Sequence, residues 1–505
     1  MEYLRPLIKL LSSQKIRQIE ILSEHSNMSV KSKLLYDGIL NDSFKNDKQA
    51  SLKLYSSDEN HAAYRKLKYR LKKRLINTVF FIDVQQYSNS PYQKALNSTY
   101  KNYAAAKIIL DKGPSHVAID IMENALKQTL KYDLTELSIL LLKDIKLHYG
   151  LYNYNKYKYN RYKSLFEELT YLFNLKSVAE KLYIELGHII GSNKTFEYND
   201  NIKSAELELA TLYKKIKDID SYYLKNFYFN ATYFAMMIKG DYLKQLEIAN
   251  QAINYFQTKK DFKLIAQATF FQMKGVALLN LKEATKAFEV FEECLNFKPK
   301  AGKLYWQSLH NYLFICHALN QDYLAAYEII SKVMNNKSFV KIYDDFKQSW
   351  YLKEAFIQFL IRVDKINLGN TQVDKLRPFR IGRFLNEVPE FTKDKRGLNI
   401  TIHIIQMLFL IVDEKYDAVL DKLSALKQYN FRYLKGTEYA RPRNFIKMLL
   451  KIPDGNYNAN RIRLKAHKYH QILLASPMDF TEKSMSIEII PYEQLWEEIL
   501  SIFEK

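Results

Sequence analysis

Cations carry most of the chemistry that this sequence offers. Residues 64–75 read YRKLKYRLKKRL, in which Arg65, Lys66, Lys68, Arg70, Lys72, Lys73 and Arg74 surround Leu67, Leu71 and Leu75. Leucines four residues apart share one face of a helix, so the three are expected to pack inward while the cations cover the remaining surface. Such a surface is able to contact phosphates, since each guanidinium can pair with two acceptor oxygens at once; the plainer expectation is the solvated face of a packed helix, whose Lys and Arg stems cover apolar neighbours. A second set, Arg377, Arg380, Arg383, Lys393, Lys395 and Arg396, is interleaved with Phe379, Phe384 and Phe391 in a stretch that holds Pro378 and Pro389. Arginine beside aromatic rings suits recognition of phosphate or carboxylate. The plainer expectation is that the phenylalanines anchor this stretch and the charges stay in water.

Groups that make or break bonds are not gathered in any comparable way. The sequence has no glycine-rich phosphate loop, no paired histidines with a glutamate between them and no nucleophile elbow. His467 and His470 stand one turn apart in AHKYH, without a carboxylate or thiolate beside them in the sequence to complete a metal set. Cys294 and Cys316 are the only cysteines, too few for a disulfide framework or a four-thiolate zinc site, and they fit a reducing compartment. The expectation is a protein that is not an enzyme and needs no cofactor.

The chain has 505 residues with 13 Gly and 10 Pro, and its 48% apolar and 26% charged residues exclude a wholly disordered polypeptide. A formal net charge of +21 favours anionic partners, nucleic acid or an acidic protein surface. Lys, Asn, Ile, Tyr and Phe are all frequent, as an AT-rich coding sequence produces, so local clusters weigh more than the total. The first residues, MEYLRPLIKLLSSQKIRQIE, carry charges at Glu2, Arg5, Lys9 and Lys15 and lack the apolar core of a secretory signal. The longest strongly apolar stretch, residues 402–412, is shorter than the roughly 20 residues that cross a bilayer and reads as a buried helix. A cytoplasmic chain without membrane insertion is expected.

The elements that must position these residues are helices. Apolar residues at three- and four-residue spacing run through nearly every segment, and turn signals at Gly240-Asp241, Lys298-Pro299, Asn320-Gln321-Asp322 and Asn335-Asn336 divide them into pairs. One short strand is expected at Met485–Ile490. Two short helices at 31–42 and 47–56 precede the basic helix, which Ser57 or Asp58 is expected to cap. Short helix, turn and basic helix is the order of a helix-turn-helix or winged-helix unit. The tract YNYNKYKYNRY, residues 152–162, is expected to supply tyrosines to the core and rim of a helix pair more than a platform for bases.

Residues 270–299, FFQMKGVALLNLKEATKAFEVFEECLNFKP, resemble a tetratricopeptide repeat. Gly275, Ala287, Phe291 and Pro299 fall at the family's spacings; Phe271 stands where the family has Trp, Leu278 where it has Tyr, Cys294 where it has Ala, and Lys274 replaces the usual Leu. In packing terms Gly275 and Ala287 let two antiparallel helices approach, Phe271, Leu278 and Phe291 fill the space beside them, and Pro299 ends the second helix. Weaker copies lie at 239–256, 320–334 and 413–429, where Tyr242, Tyr323 and Tyr416 each open a second helix. Aligning Gln245, Ala287 and Ala326 gives spacings of 42 and 39 residues, longer than the roughly 34 of a regular unit.

The fold expected is therefore all-α, a superhelical array of antiparallel helix pairs with a small basic N-terminal helical domain. Its divisions are a basic region at 1–88, a helical region with the Tyr-rich segment at 89–200, repeats at 201–366, a basic proline-containing loop at 367–397 and a helical region at 398–505. The resemblance implies a groove lined by first helices, near which Tyr233, Lys274, Phe314 and His317 would stand, and a protein or peptide partner. The alternative is a nucleic-acid-binding regulator, resembling peptide-sensing regulators that join a helix-turn-helix domain to tetratricopeptide repeats.

Overall fold

The structure is a computed structural model, and it describes Leu4, Ile8 and residues 29–80, 91–191, 200–259, 265–342, 344–369, 376–388, 398–434, 439–476, 478 and 488–504. Among the described residues there are helices, turns and connections but no strand. The chain separates into two units, residues 1–177 with 261–263 and residues 178–260 with 264–505. No described helix is long and apolar enough to cross a membrane.

In the first unit, α1 (Val30–Leu40), α2 (Asp47–Tyr55) and α3 (Ala62–Val79) pack on one another. Their core holds Leu35, Ile39, Phe44, Leu54, Tyr64, Leu67, Leu71 and Leu75, so the three leucines of the basic helix face inward as their spacing requires. Capping departs from expectation. The residue before α3 is His61, which makes no side-chain capping bond. Asp58 instead accepts the amide of Asn60 at 2.8 Å and, through its carbonyl, the hydroxyl of Ser51 at 2.5 Å. Ser57 and Asp58 thus belong to the turn before the helix. Further along, α4 (Pro91–Lys112), α5 (Ser115–Lys131), α6 (Thr135–Leu147) and residues 156–177 of α7 (Lys156–Gly191) follow, with α4 packed on α5 and α5 on α6; the rest of α7 and α8 (Asp200–Ile216) belong to the second unit.

The second unit repeats one local device. A helix ends on a residue with positive φ, whose neighbour's amide reaches back five residues to the last free carbonyls, and a new helix starts at once. The left-handed residues are Gly240, Lys282, Gln321 and Glu414, and the amides of Asp241, Glu283, Asp322 and Lys415 donate to Met236, Leu278, His317 and Leu410. This is the six-to-one bond of a Schellman cap, which satisfies carbonyls that the helix end leaves free. It joins α9 (Tyr222–Lys239) to α10 (Tyr242–Gln257), α11 (Ile265–Asn280) to α12 (Ala284–Leu295), α13 (Leu304–Leu319) to α14 (Tyr323–Met334), and α17 (Leu398–Val412) to α18 (Tyr416–Tyr433). Tyr242, Tyr323 and Tyr416 open second helices as the sequence indicates. Gln245, Ala287 and Ala326 occupy one equivalent position, each buried and each donating its amide to the carbonyl four residues back in the turn. The same cap closes α15 (Asp344–Arg362) at Asp364, but an irregular connection follows it in place of a paired helix.

Helices meet closely where side chains are small. A methyl group on Gly275 of α11 would lie 2.5 Å from the Phe291 ring of α12. That ring is fully buried and stacks on Tyr312 at 5.0 Å, so it has nowhere to retreat. Ala287, Leu278 and Cys294 are buried beside it, while Phe271 is half-buried. Pro299 does not end α12. The helix closes at Leu295, and the left-handed Lys298 turns the chain before the proline. The expected strand is also corrected: residues 488–490 are non-helical but unpaired to any strand, and 485–487 lie outside the described residues. Here burial of Ile489 and Ile490 in the helical core explains the apolar pattern.

The chain's last helix, α22 (Tyr492–Ile502), is fastened by polar contacts made away from water. Arg441 of α19 (Ala440–Leu449), which precedes α20 (Lys451–Asp454) and α21 (Ala459–Ala475), pairs through two nitrogens with Glu488 at 2.8 and 2.6 Å, contacts Glu493, and donates to the carbonyls of Leu473 and Ser476 at the end of α21. Tyr492 stacks on Phe445 at 4.2 Å, and Gln494 donates to the Leu319 carbonyl at the end of α13.

Two predictions follow from the packing. Gly275→Ala gains about 1 kcal/mol of helix propensity and loses about 1–3 kcal/mol to overpacking, so the denaturant midpoint falls; a midpoint above wild type contradicts the close approach. Lys353 of α15 is buried, its ammonium held by the Ser349 hydroxyl at 2.5 Å and lying 5.2 Å from the Trp350 ring, and burial pulls its pKa down to about 7. Between pH 7 and the ordinary lysine value the unfolded chain binds the proton that the folded chain lacks, so the penalty is full below pH 7 and fades as pH rises. Lys353→Met therefore raises the thermal midpoint most at pH 6–7, and the gain shrinks toward about pH 10; a gain that grows with pH contradicts the burial cost.

Candidate functional site

The cations of α3 are displayed much as the sequence indicates. Arg65, Lys66, Arg70, Lys72 and Lys73 are exposed, and Lys68 and Arg74 are half-buried. Lys68 is held by Asp47 at 3.0 Å, and the Tyr64 hydroxyl donates to the same carboxylate at 2.7 Å, which ties the start of α2 to the first turns of α3. No acidic residue lies within α3. Tyr69 stands exposed among the cations.

The second basic cluster is not assembled into an anion site by the residues that are described. Phe379 stacks on Phe409 at 5.1 Å and Phe384 is buried, so the rings anchor the connection and α16 (Ile381–Glu387) to the core. Arg377 lies over the Tyr351 ring at 5.3 Å, Arg383 donates to the Pro378 carbonyl at 2.5 Å, and Arg380 is exposed. Lys393, Lys395, Arg396 and Phe391 lie outside the described residues.

The expected groove positions divide. Tyr233 is 3% exposed and donates its hydroxyl to the Met273 carbonyl at 2.8 Å, and Phe314 is fully buried. Both are core residues and line no groove, because aromatic side chains on these helices fill the space between neighbouring helices. Lys274 and His317 are half-buried; the His317 ring meets the edge of Phe288 and its Nδ1 lies 3.4 Å from Asp322. The buried thiols of Cys294 and Cys316 are pushed up to about 11 and about 12, which keeps them protonated and poor nucleophiles at neutral pH. His467 is exposed and His470 half-buried, and no group of three metal-ligating side chains occurs among the described residues.

A groove that the candidate residues did not include lies in the first unit, between α6 and the start of α7. It has a volume of about 850 Å³ and is lined by the apolar side chains of Ile139, Leu140, Leu147, Leu151 and Phe166 and by Tyr154 and Tyr159. Lys143, Lys146 and Lys156 also line it, and no acidic residue does. Its shape comes from an irregular helix end. Residues His148–Tyr152 form a π-turn, closed by the Asn153 amide on the His148 carbonyl at 2.8 Å. The wider turn swings Leu151, Tyr152 and Tyr154 into water, where they are 73%, 77% and 73% exposed. Asn155 then caps α7, its side chain accepting the Lys158 amide at 3.0 Å.

The Tyr-rich tract therefore serves two ends. Tyr162 is buried, stacks on Tyr149 at 6.0 Å and donates to Glu123 of α5 at 2.7 Å; burial, then the carboxylate, raises its pKa. Lys158 donates to the Tyr149 hydroxyl at 2.7 Å and lies 3.5 Å from Glu123. This half-buried cluster ties α7 to α5 beside the groove. Lys146 lies 3.6 Å from the centre of the Phe166 ring, bridging the groove's two sides. The signal available in the sequence was the run Ile139–Leu142, which makes α6 apolar on more faces than one core contact uses.

Glu123→Ala leaves the Tyr162 hydroxyl without its acceptor, while Lys158 keeps the Tyr149 hydroxyl, and lowers the unfolding free energy by about 1–3 kcal/mol. Leu151→Asp, on the wet lip, changes it by less than about 0.5 kcal/mol. Equal losses in thermal melts of the two variants would show that the lip and the half-buried cluster are not distinct.

No family model, curated protein or solved structure matches this chain, so its function rests on what these surfaces can bind.

Proposed function

We propose that the protein is a non-enzymatic adaptor built on helical repeats similar to tetratricopeptide repeats, which docks a protein partner. The observation that carries this reading is the groove along α6, where leucine and tyrosine side chains stand in water beside a rigid apolar wall. Exposed apolar residues in one patch are costly to keep unless something covers them. Rigid helices that present such a groove suit capture of a partner segment, and binding needs no bond making. The recurrent hairpin caps of the second unit support the repeat reading.

A second reading has its own support. The exposed, acid-free face of α3, in a three-helix unit, fits contact with nucleic-acid phosphates by a regulator.

Affinity purification from the native host at low salt separates the two. Under the adaptor reading a protein co-purifies after nuclease treatment and is lost from Leu147→Asp/Leu151→Asp. Under the second reading the captured material is nuclease-sensitive, its retention falls steeply with salt, and charge reversal at Arg70, Lys73 and Arg74 flattens that fall. Capture that neither set of substitutions alters contradicts both.

A further inference from the structure

The groove's lining specifies the partner more closely than its shape alone, and the inference rests on the adaptor reading. Its apolar wall comes from one face of α6, where Leu140 and Leu147 are seven residues apart, and continues to Leu151 through the π-turn. Such a row matches side chains spaced along one face of a partner helix. Lys143, Lys146 and Lys156 stand along this row with no carboxylate among the lining residues to neutralise them. Lys143 and Lys156 are exposed, so their ammonium groups reach the groove's rim from water. Acidic residues nearby are engaged elsewhere: Asp144 with Lys107 at 2.9 Å, and Glu123 with Tyr162 and Lys158.

We infer that this groove receives an acidic amphipathic helix of a partner protein, with leucine or phenylalanine anchors on the apolar wall and glutamate or aspartate beside Lys143 and Lys156. The charge pattern selects the occupant, because a like-charged helix would set its cations against the rim. A single-stranded nucleic acid fits less well, since of the strongly exposed tyrosines of the tract only Tyr154 lines the groove, Tyr152 and Tyr157 lie outside it, and most of the wall is aliphatic. A lipid chain fits less well too, since Leu151 and Tyr154 are largely open to water and leave the space unenclosed.

The test uses the full chain and a fluorescein-labelled helical peptide of about 18 residues, with leucine at every third or fourth position and glutamate on its flanks. Its binding is followed by anisotropy at low salt. The acidic peptide binds; Lys143→Glu/Lys156→Glu weakens it by about tenfold or more, and that variant gains affinity for the same peptide with lysine in place of glutamate. Leu147→Asp/Leu151→Asp removes both, with its thermal midpoint unchanged. No binding of the acidic peptide, equal binding of both peptides, or insensitivity to the lysine substitutions overturns the inference. It is also overturned if phosphatidylglycerol vesicles or a single-stranded RNA bind in its place with dependence on Leu147 and Leu151. If the co-purified protein depends on Leu151 yet the acidic peptide fails, only the partner's chemistry is wrong; if no captured protein depends on Leu151, the docking reading itself falls.

Discussion

The amide that reaches back five residues past a left-handed residue governs how the second unit is built. A helix end leaves carbonyls free, and burying them without partners costs more than the bond returns when made. At Gly240, Lys282, Gln321 and Glu414 the bond is made within two residues, and the chain reverses at once into the next helix. So short a link forces the two helices to lie antiparallel and in contact. Only Gly240 takes the left-handed conformation without steric cost; the other positions use residues with a Cβ, so the packing of the hairpins compensates for that strain.

Close contact then dictates side-chain size and polarity. Gly275 has room for hydrogen alone against Phe291, and Ala287 and Ala326 sit fully buried at matching positions. The same crowding strands polar groups. His310 lies against Trp306 with its pKa pulled down to about 4 by burial, and Lys353 loses its charge near neutrality. These residues lower stability as the pH falls, because in each case the unfolded chain takes up protons more readily than the folded one.

Legibility in the sequence followed the same physics. Helix starts at Tyr242, Tyr323 and Tyr416 were readable because a turn residue and an apolar period coincide there, with a side-chain cap from Asp241 and Asp322 at the first two. The inward face of α3 was readable because Leu67, Leu71 and Leu75 alternate with cations that cannot be buried cheaply. Tyr233 and Phe314 were not, since α9 and α13 are apolar on several faces and periodicity cannot say which one stays open. Ser57 and Asp58 look like caps, but the turn takes Asp58 for Asn60 and Ser51. The groove was the hardest to see: its lip depends on a π-turn, and beside it Glu123 reaches Tyr162 from 39 positions away.

On the proposed reading, partners meet surfaces that a helical frame holds open, a lysine-rimmed apolar groove and a basic helix face, both in the first unit. The frame is the claim on which the rest stands, and native-state hydrogen exchange tests it directly. In the first unit, which holds both surfaces, the amides of Leu134 and Asn153 should exchange slowly, as should those of Asp241, Glu283, Asp322 and Lys415 in the second, since each is bonded to a carbonyl five residues back. Exchange of these amides at the rate of an open loop would contradict the account.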